Sequence, residues 1–242
     1  MYHQEDAVEK PLLERFKADC KNWPSAFVKS GRETFLATEN MIALLLAGGM
    51  SVAMHQNVDT EIAEHLEEHR KLRNLRDEGL NFIGHPTTHF VATGLWYALS
   101  AEKQDEFNNR RAWTMMTALS VTWVTTAGLK VIRNNETPNG DDLAWPSGHT
   151  ASSFTVASVL DEFYGPKVGF PAYAAASLVA YRMMDTGNHW ASDVVFGATL
   201  GWVVGHTVAG KHKSLELGGF RVVPQVVTSC GPGIGISLLK QF

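Results

Sequence analysis

The apolar positions of this chain fall into runs separated by short polar or turn-like stretches, and most runs have helical length. Residues 1–32 are mixed polar, with Pro11 suited to opening a short helix and Trp23-Pro24 suited to breaking it. Met41 to Met54 reads MIALLLAGGMSVAM, apolar throughout with only small residues as relief. That predicts a buried helix, too short on its own to cross a bilayer. Asp59 to Gly79 is dense in charge, and Glu67, Glu68, Arg70 and Lys71 within it read as a solvated face. Gly84-His85-Pro86 has the look of a helix start, and Thr87 to Ser100 after it is apolar and aromatic. Ala112 to Leu129 runs for eighteen residues without a charge, between Arg110-Arg111 and Lys130. It fits a membrane span, or equally a threonine-bearing buried helix of a soluble bundle.

Three more helices are expected over Thr150–Tyr164, Val168–Tyr181 and Val194–Gly210. The tail then changes period. Phe220 to Val227 is β-branched, Cys230-Gly231-Pro232-Gly233 is a turn signal, and Ile234 to Leu238 alternates. The expected architecture is therefore all-α, a helical bundle with a small C-terminal β-hairpin. An N-terminal arm covers 1–32, the helical domain 33–212 and the tail 213–242.

Composition narrows the function classes. A length of 242 residues suits one sizeable core, and a net charge of −4 lacks the basic excess of a nucleic-acid binder. Cys20 and Cys230 lie at opposite ends, compatible with one terminal disulfide or with two thiols. The polar, acidic start Met-Tyr-His-Gln-Glu-Asp has no apolar signal core, which fits either no export signal or one already removed.

Chemistry concentrates between Lys130 and Asp193. Lys130 ends one expected helix, Ser147 to His149 begin the next, Arg182 ends the third, and His189 with Asp193 begins the last. Short connections favour antiparallel neighbours, so all these residues fall at one end of the bundle. A helix start at Pro146-Ser147-Gly148-His149 offers free amides and a positive dipole end to an anion, and glycine allows close backbone approach. His189 and Asp193, four residues apart, share a helix face, so the carboxylate can hold one imidazole nitrogen and leave the other free as nucleophile or base. Two other histidine pairs have the same spacing. His65/His69 could bind a metal or simply face solvent. His85 could approach the site from a helix mouth or be an ordinary buried histidine.

With these residues assembled, the chain resembles the type 2 phosphatidic acid phosphatase and vanadium haloperoxidase superfamily over roughly 110–210. That family carries a lysine followed after six residues by Arg-Pro, then Pro-Ser-Gly-His, then Ser-Arg followed after five residues by His-x-x-x-Asp. The second motif is complete here, and the end of the third is His189-Trp190-Ala191-Ser192-Asp193. The resemblance implies that His189 attacks phosphorus to form a phosphohistidine with Asp193 orienting it. It implies that His149 protonates the leaving oxygen and then activates water. Ser147 and Gly148 would hold the phosphoryl oxygens while Lys130 and Arg182 neutralise them. It implies no cofactor and no metal, with vanadate binding as a phosphate transition-state mimic.

Two departures stand out. Thr137-Pro138 occupies the Arg-Pro position, and Arg133, four residues earlier, is the candidate substitute. Six residues rather than five separate Arg182 from His189, Tyr181 replaces the serine, and Met183 holds the strictly spaced place. One lost charge-assisted hydrogen bond would cost about ten- to a hundredfold in rate. The expected function is a phosphomonoesterase acting on a lipid phosphate or a small phosphate ester in a bacterial cell envelope, with membrane association open. The alternatives are a vanadate-dependent haloperoxidase and a catalytically weakened envelope protein of the same fold.

Overall fold

In the computed structural model, the described residues are 12–72, 74–210 and the backbone of three short tail segments. The helices among them are α1 (Leu12–Leu36), α2 (Thr38–Asn57), α3 (Asp59–Glu68), α4 (Leu75–Gly84), α5 (Pro86–Glu102), α6 (Glu106–Arg133), α7 (Gly148–Tyr164), α8 (Pro166–Asp185) and α9 (Ala191–Gly210). Backbone segments Leu215–Leu217, Phe220–Val227 and Gly233–Lys240 are extended. The turn at Cys230-Gly231-Pro232 expected to make them a hairpin lies outside the described residues.

The bundle is centred on α7 and α9, which run parallel because α8 returns the chain between them. Their contact is unusually close, and a glycine stripe at four-residue spacing explains it. A Cβ on Gly197 would come within 2.8 Å of the Ser147 carbonyl oxygen, and one on Gly205 within 2.8 Å of that of Thr155. Between them, a Cβ on Gly201 would overlap the Ala151 carbonyl oxygen. Small α7 residues (Ala151, Thr155, Ser158) face this stripe, as in tightly crossed membrane helices where small residues let backbones meet. The apolar core gathers around Leu119, Val121, Val159, Phe196, Leu200 and Val204. A buried Thr122–Thr155 hydroxyl pair at 2.7 Å joins α6 to α7. It satisfies two polar groups that burial would otherwise leave costly.

Two expectations are revised. Trp23-Pro24 does not break the first helix: α1 continues through Pro24 and bends by 69° only where it meets α2. α1 also packs on α6 and α9, and Asp19 accepts the Tyr97 hydroxyl at 2.6 Å. Second, Met41–Met54 is not buried. In α2 the small and polar positions Asn40, Ala47 and Ser51 face inward, and Met41, Leu45, Leu46, Met50 and Val52 are exposed. In the charge-dense stretch Glu67, Glu68, Arg70 and Lys71 are exposed, as a solvated face requires. Asp59 is fully buried, and its oxygens accept the Ser192 amide at 3.0 Å and the Ser192 hydroxyl at 2.5 Å. By length and composition, α6 is the one unbent helix among the described residues able to cross a membrane.

Candidate active site

Each expected site residue sits at a helix end on the same side of the bundle. Ser147 caps α7, its Oγ accepting the Thr150 hydroxyl at 3.0 Å. Pro146 precedes the cap and is joined to Trp145 by a cis peptide. The Ser147 amide donates to the Asp193 carbonyl at 3.2 Å, so the two helix starts are tied to each other through the backbone. This places His149 and His189 on adjacent N-termini, where unpaired amides and the helix dipoles favour an anion.

His189 and Asp193 are buried. Asp193 Oδ2 lies 3.4 Å from His189 Nδ1 and accepts the Trp190 amide at 3.0 Å, which leaves His189 Nε2 directed away from the carboxylate. Burial pulls the His189 imidazole below its ordinary pKa, and the hydrogen bond to Asp193 acts against that shift. His149 is pushed from 6.5 down to about 3, by burial first and then by the neighbouring His85, His189, Arg182 and His89. Its Nε2 is buried without a hydrogen-bond partner among the described residues. So is Asp193 Oδ1. An unpaired buried imidazole nitrogen among groups that repel its proton is poised for a negatively charged ligand.

The cationic positions are engaged by the protein. Lys130 Nζ donates to the Leu143 carbonyl and, at 3.2 Å, to that of Ala144. A Cβ on Gly148 would lie 4.0 Å from the Lys130 Cε, which puts this lysine beside the α7 start. Arg182 is buried at the end of α8. Its Nε donates to Asp77 at 2.7 Å and one Nη to Asn81 at 3.0 Å, both on α4. Arg70 meets the other Asp77 oxygen at 3.7 Å. Arg133 stands over the Trp145 ring, 5.1 Å from its centroid. Thr137, in the arginine position of the resemblance, is buried and closes a turn, its hydroxyl accepting the Asp141 amide at 3.0 Å.

Sequence reasoning passed over several residues that build this end. Asp59 and Asp77 come from the charge-dense segment, and Asn81 lies just beyond it. Asp185 accepts the Lys71 and Leu72 amides, each at 2.9 Å, and pins the α3–α4 connection to α8. Trp190 Nε1 donates to the Glu136 carbonyl at 2.7 Å, holding the loop before α7 against the loop before α9. The signals for Asp59, Asp77 and Asp185 were single acidic residues, and Asn81 and Trp190 carried none that set them apart from their neighbours. His65 and His69 stack on one another with ring centroids 4.5 Å apart. The exposed His85 reaches the site, its ring 5.1 Å from that of His149.

A carboxylate-held imidazole, a second imidazole on the neighbouring helix start, a serine-capped anion cradle and two nearby cations together suit phosphoryl transfer in a helical bundle. The PAP2 superfamily model matches residues 41–214, and the chain belongs to that family. It is similar in fold to the transmembrane PAP2-type phosphatidylglycerolphosphate phosphatase of Bacillus subtilis. That match has a TM-score of 0.58 at 19% identity, over 72% of this chain and 96% of the other. It is also similar to LpxE of Aquifex aeolicus, with a TM-score of 0.51 at 21% identity over 62% and 94% of the two chains. A 65-residue stretch is 38% identical to the lipid A 1-phosphatase of Porphyromonas gingivalis, covering 26% of this chain and only 15% of that protein.

Proposed function

We propose that this chain is a metal-independent phosphatase that hydrolyses a lipid phosphate monoester through a phosphohistidine at His189. The observation that carries this is the pairing of His189, held by Asp193, with the orphaned His149 Nε2 on two helix starts joined by the Ser147–Asp193 backbone bond. In the first step His189 Nε2 attacks phosphorus, a P–N bond forms, and the P–O bond to the lipid breaks. The leaving oxygen takes its proton from His149. With its pKa near 3, His149 is neutral in the empty site. The phosphate's own negative charge lets it hold the proton that it then delivers. In the second step water attacks the phosphohistidine, gives a proton to His149, and releases inorganic phosphate with His189 restored. Ser147, the Gly148 amide, Lys130 and Arg182 neutralise the phosphoryl oxygens throughout.

A lipid substrate is favoured because the relatives above are named as phosphatases of phosphatidylglycerolphosphate and lipid A. The exposed apolar faces of α2 (Leu45, Leu46), α5 (Val91, Leu95) and α6 (Trp123, Val124) fit association with a bacterial envelope membrane. The tail hairpin belongs to the same proposal as a packing element. The test compares p-nitrophenyl phosphate turnover by wild type and His189→Ala. Loss of about 10³-fold or more is expected, together with acid-labile phosphate bound to wild type alone. Equal rates for the two proteins would sink the phosphohistidine.

A further inference from the structure

We propose that His85 is a further substrate-contacting residue, donating its Nε2–H to a phosphoryl oxygen at the entrance side of His149; this rests on the phosphatase reading above. His85 caps α5, and its Nδ1 accepts the Thr87 backbone amide at 3.2 Å. A backbone N–H can only donate, so Nδ1 carries no proton and Nε2 does. The cap thus converts an ambiguous imidazole into a donor of known polarity.

Position and surroundings give that donor its use. The rings of His85 and His149 meet edge-on, with centroids 5.1 Å apart and planes at 87°. His85 is exposed, while His189 and the His149 Nε2 are buried, which sets His85 at the mouth of the pair. His89, one turn further along α5, is more deeply set, and burial holds its imidazole down at about 4. The stronger donors nearby already have protein acceptors. Arg182 is held by Asp77 and Asn81, Lys130 by the Leu143 and Ala144 carbonyls, and Arg133 rests on Trp145. The His85 Nε2 has no hydrogen-bond partner among the described residues and is free to meet an incoming anion.

His85→Asn separates this role from capping. Asparagine is among the preferred N-cap residues and keeps an acceptor for Thr87 while removing the Nε2–H. Wild type, His85→Asn, His85→Ala and His189→Ala are compared for p-nitrophenyl phosphate kinetics, inhibition by inorganic phosphate, and thermal unfolding. The asparagine variant is expected to unfold with wild type, yet to raise KM and the phosphate inhibition constant about tenfold or more, with kcat moved less. A purely structural cap predicts another ranking, asparagine equal to wild type and alanine alone impaired. That result overturns the proposal. Wild-type turnover no greater than that of His189→Ala would overturn the phosphatase reading instead. Calorimetric titration of wild type and His85→Asn with inorganic phosphate then still decides whether His85 belongs to an anion site: weaker binding by the variant supports it, and equal binding removes it.

Discussion

The two halves of the site are built in different ways. The imidazole half stands on the α7 and α9 starts, where the Ser147 amide bonds the Asp193 carbonyl and glycines at 197, 201 and 205 bring the backbones together. The cationic half is assembled from side chains that meet across the chain. Arg182 reaches Asp77 over 105 residues of sequence, and Asp185 holds the Lys71 amide over 114. Backbone approach requires particular small residues at fixed spacing, so it leaves a local trace. A long-range charge pair requires only one acid and one base, and neither looks unusual beside its own neighbours. The first half is a rigid frame, and the second is a set of adjustable attachments hung on it.

Breaking the frame gives the largest effect. Gly201→Val forces side-chain atoms into the Ala151 carbonyl, where no flexible group can yield. A loss of roughly 3 kcal/mol or more is expected, read by denaturant unfolding, with activity falling alongside it. Wild-type stability in this variant would show that the α7–α9 contact is not what sets the geometry.

Loosening an attachment has a smaller and more selective effect. Asp77→Asn removes the carboxylate from Arg182 Nε but leaves Asn81 in place. Activity toward p-nitrophenyl phosphate is expected to drop about tenfold, mostly through KM, for roughly one charge-assisted hydrogen bond. Thermal unfolding should move little, because α4 is also anchored by the Asp185 contacts to the preceding loop. An increase in activity would mean that Asp77 competes with phosphate for Arg182 instead of positioning it.

The mildest effect is one of pH. His149 in the folded protein titrates at about 3 against an ordinary 6.5, so the unfolded chain takes up a proton that the folded chain refuses. Stability from this residue is complete above about pH 6.5 and is lost as pH falls from there toward 3. The loss is at most ~1.4 kcal/mol per pH unit, less in proportion to the solvent reaching the ring. Thermal unfolding at pH 7 and pH 5 should show a decline that His149→Asn flattens and inorganic phosphate offsets. An identical decline in the asparagine variant would assign the acid sensitivity to other groups.

Much of this was legible in order along the chain. Pro-Ser-Gly-His, the His189/Asp193 spacing and the helix-ending Lys130 and Arg182 were enough to place the site at one end of a bundle. Helix ends are marked by local chemistry, and short connections leave few ways to arrange neighbours. Trp23-Pro24 misled because a proline can sit inside a long helix where tertiary packing outweighs its penalty. Met41–Met54 misled because an apolar run states how hydrophobic a helix is, and not which side of it meets protein. The glycine repeat of α9 drew no expectation from the sequence, where Val194–Gly210 read only as an apolar helix; its close approach to another helix appeared in the structure.

By itself, then, the sequence determined the helical class and the common bundle end at which His149, His189 and Asp193 lie. These depend on periodicity, capping and spacing within one or two turns. Only the tertiary structure decided that Thr137 closes a turn, that Arg133 rests on Trp145, and that Arg182 is steadied by Asp77 and Asn81. It also decided that His85 stands beside His149. Those outcomes depend on which distant side chain arrives within about 3 Å, and no pattern along the chain encodes a distance between two of its remote parts.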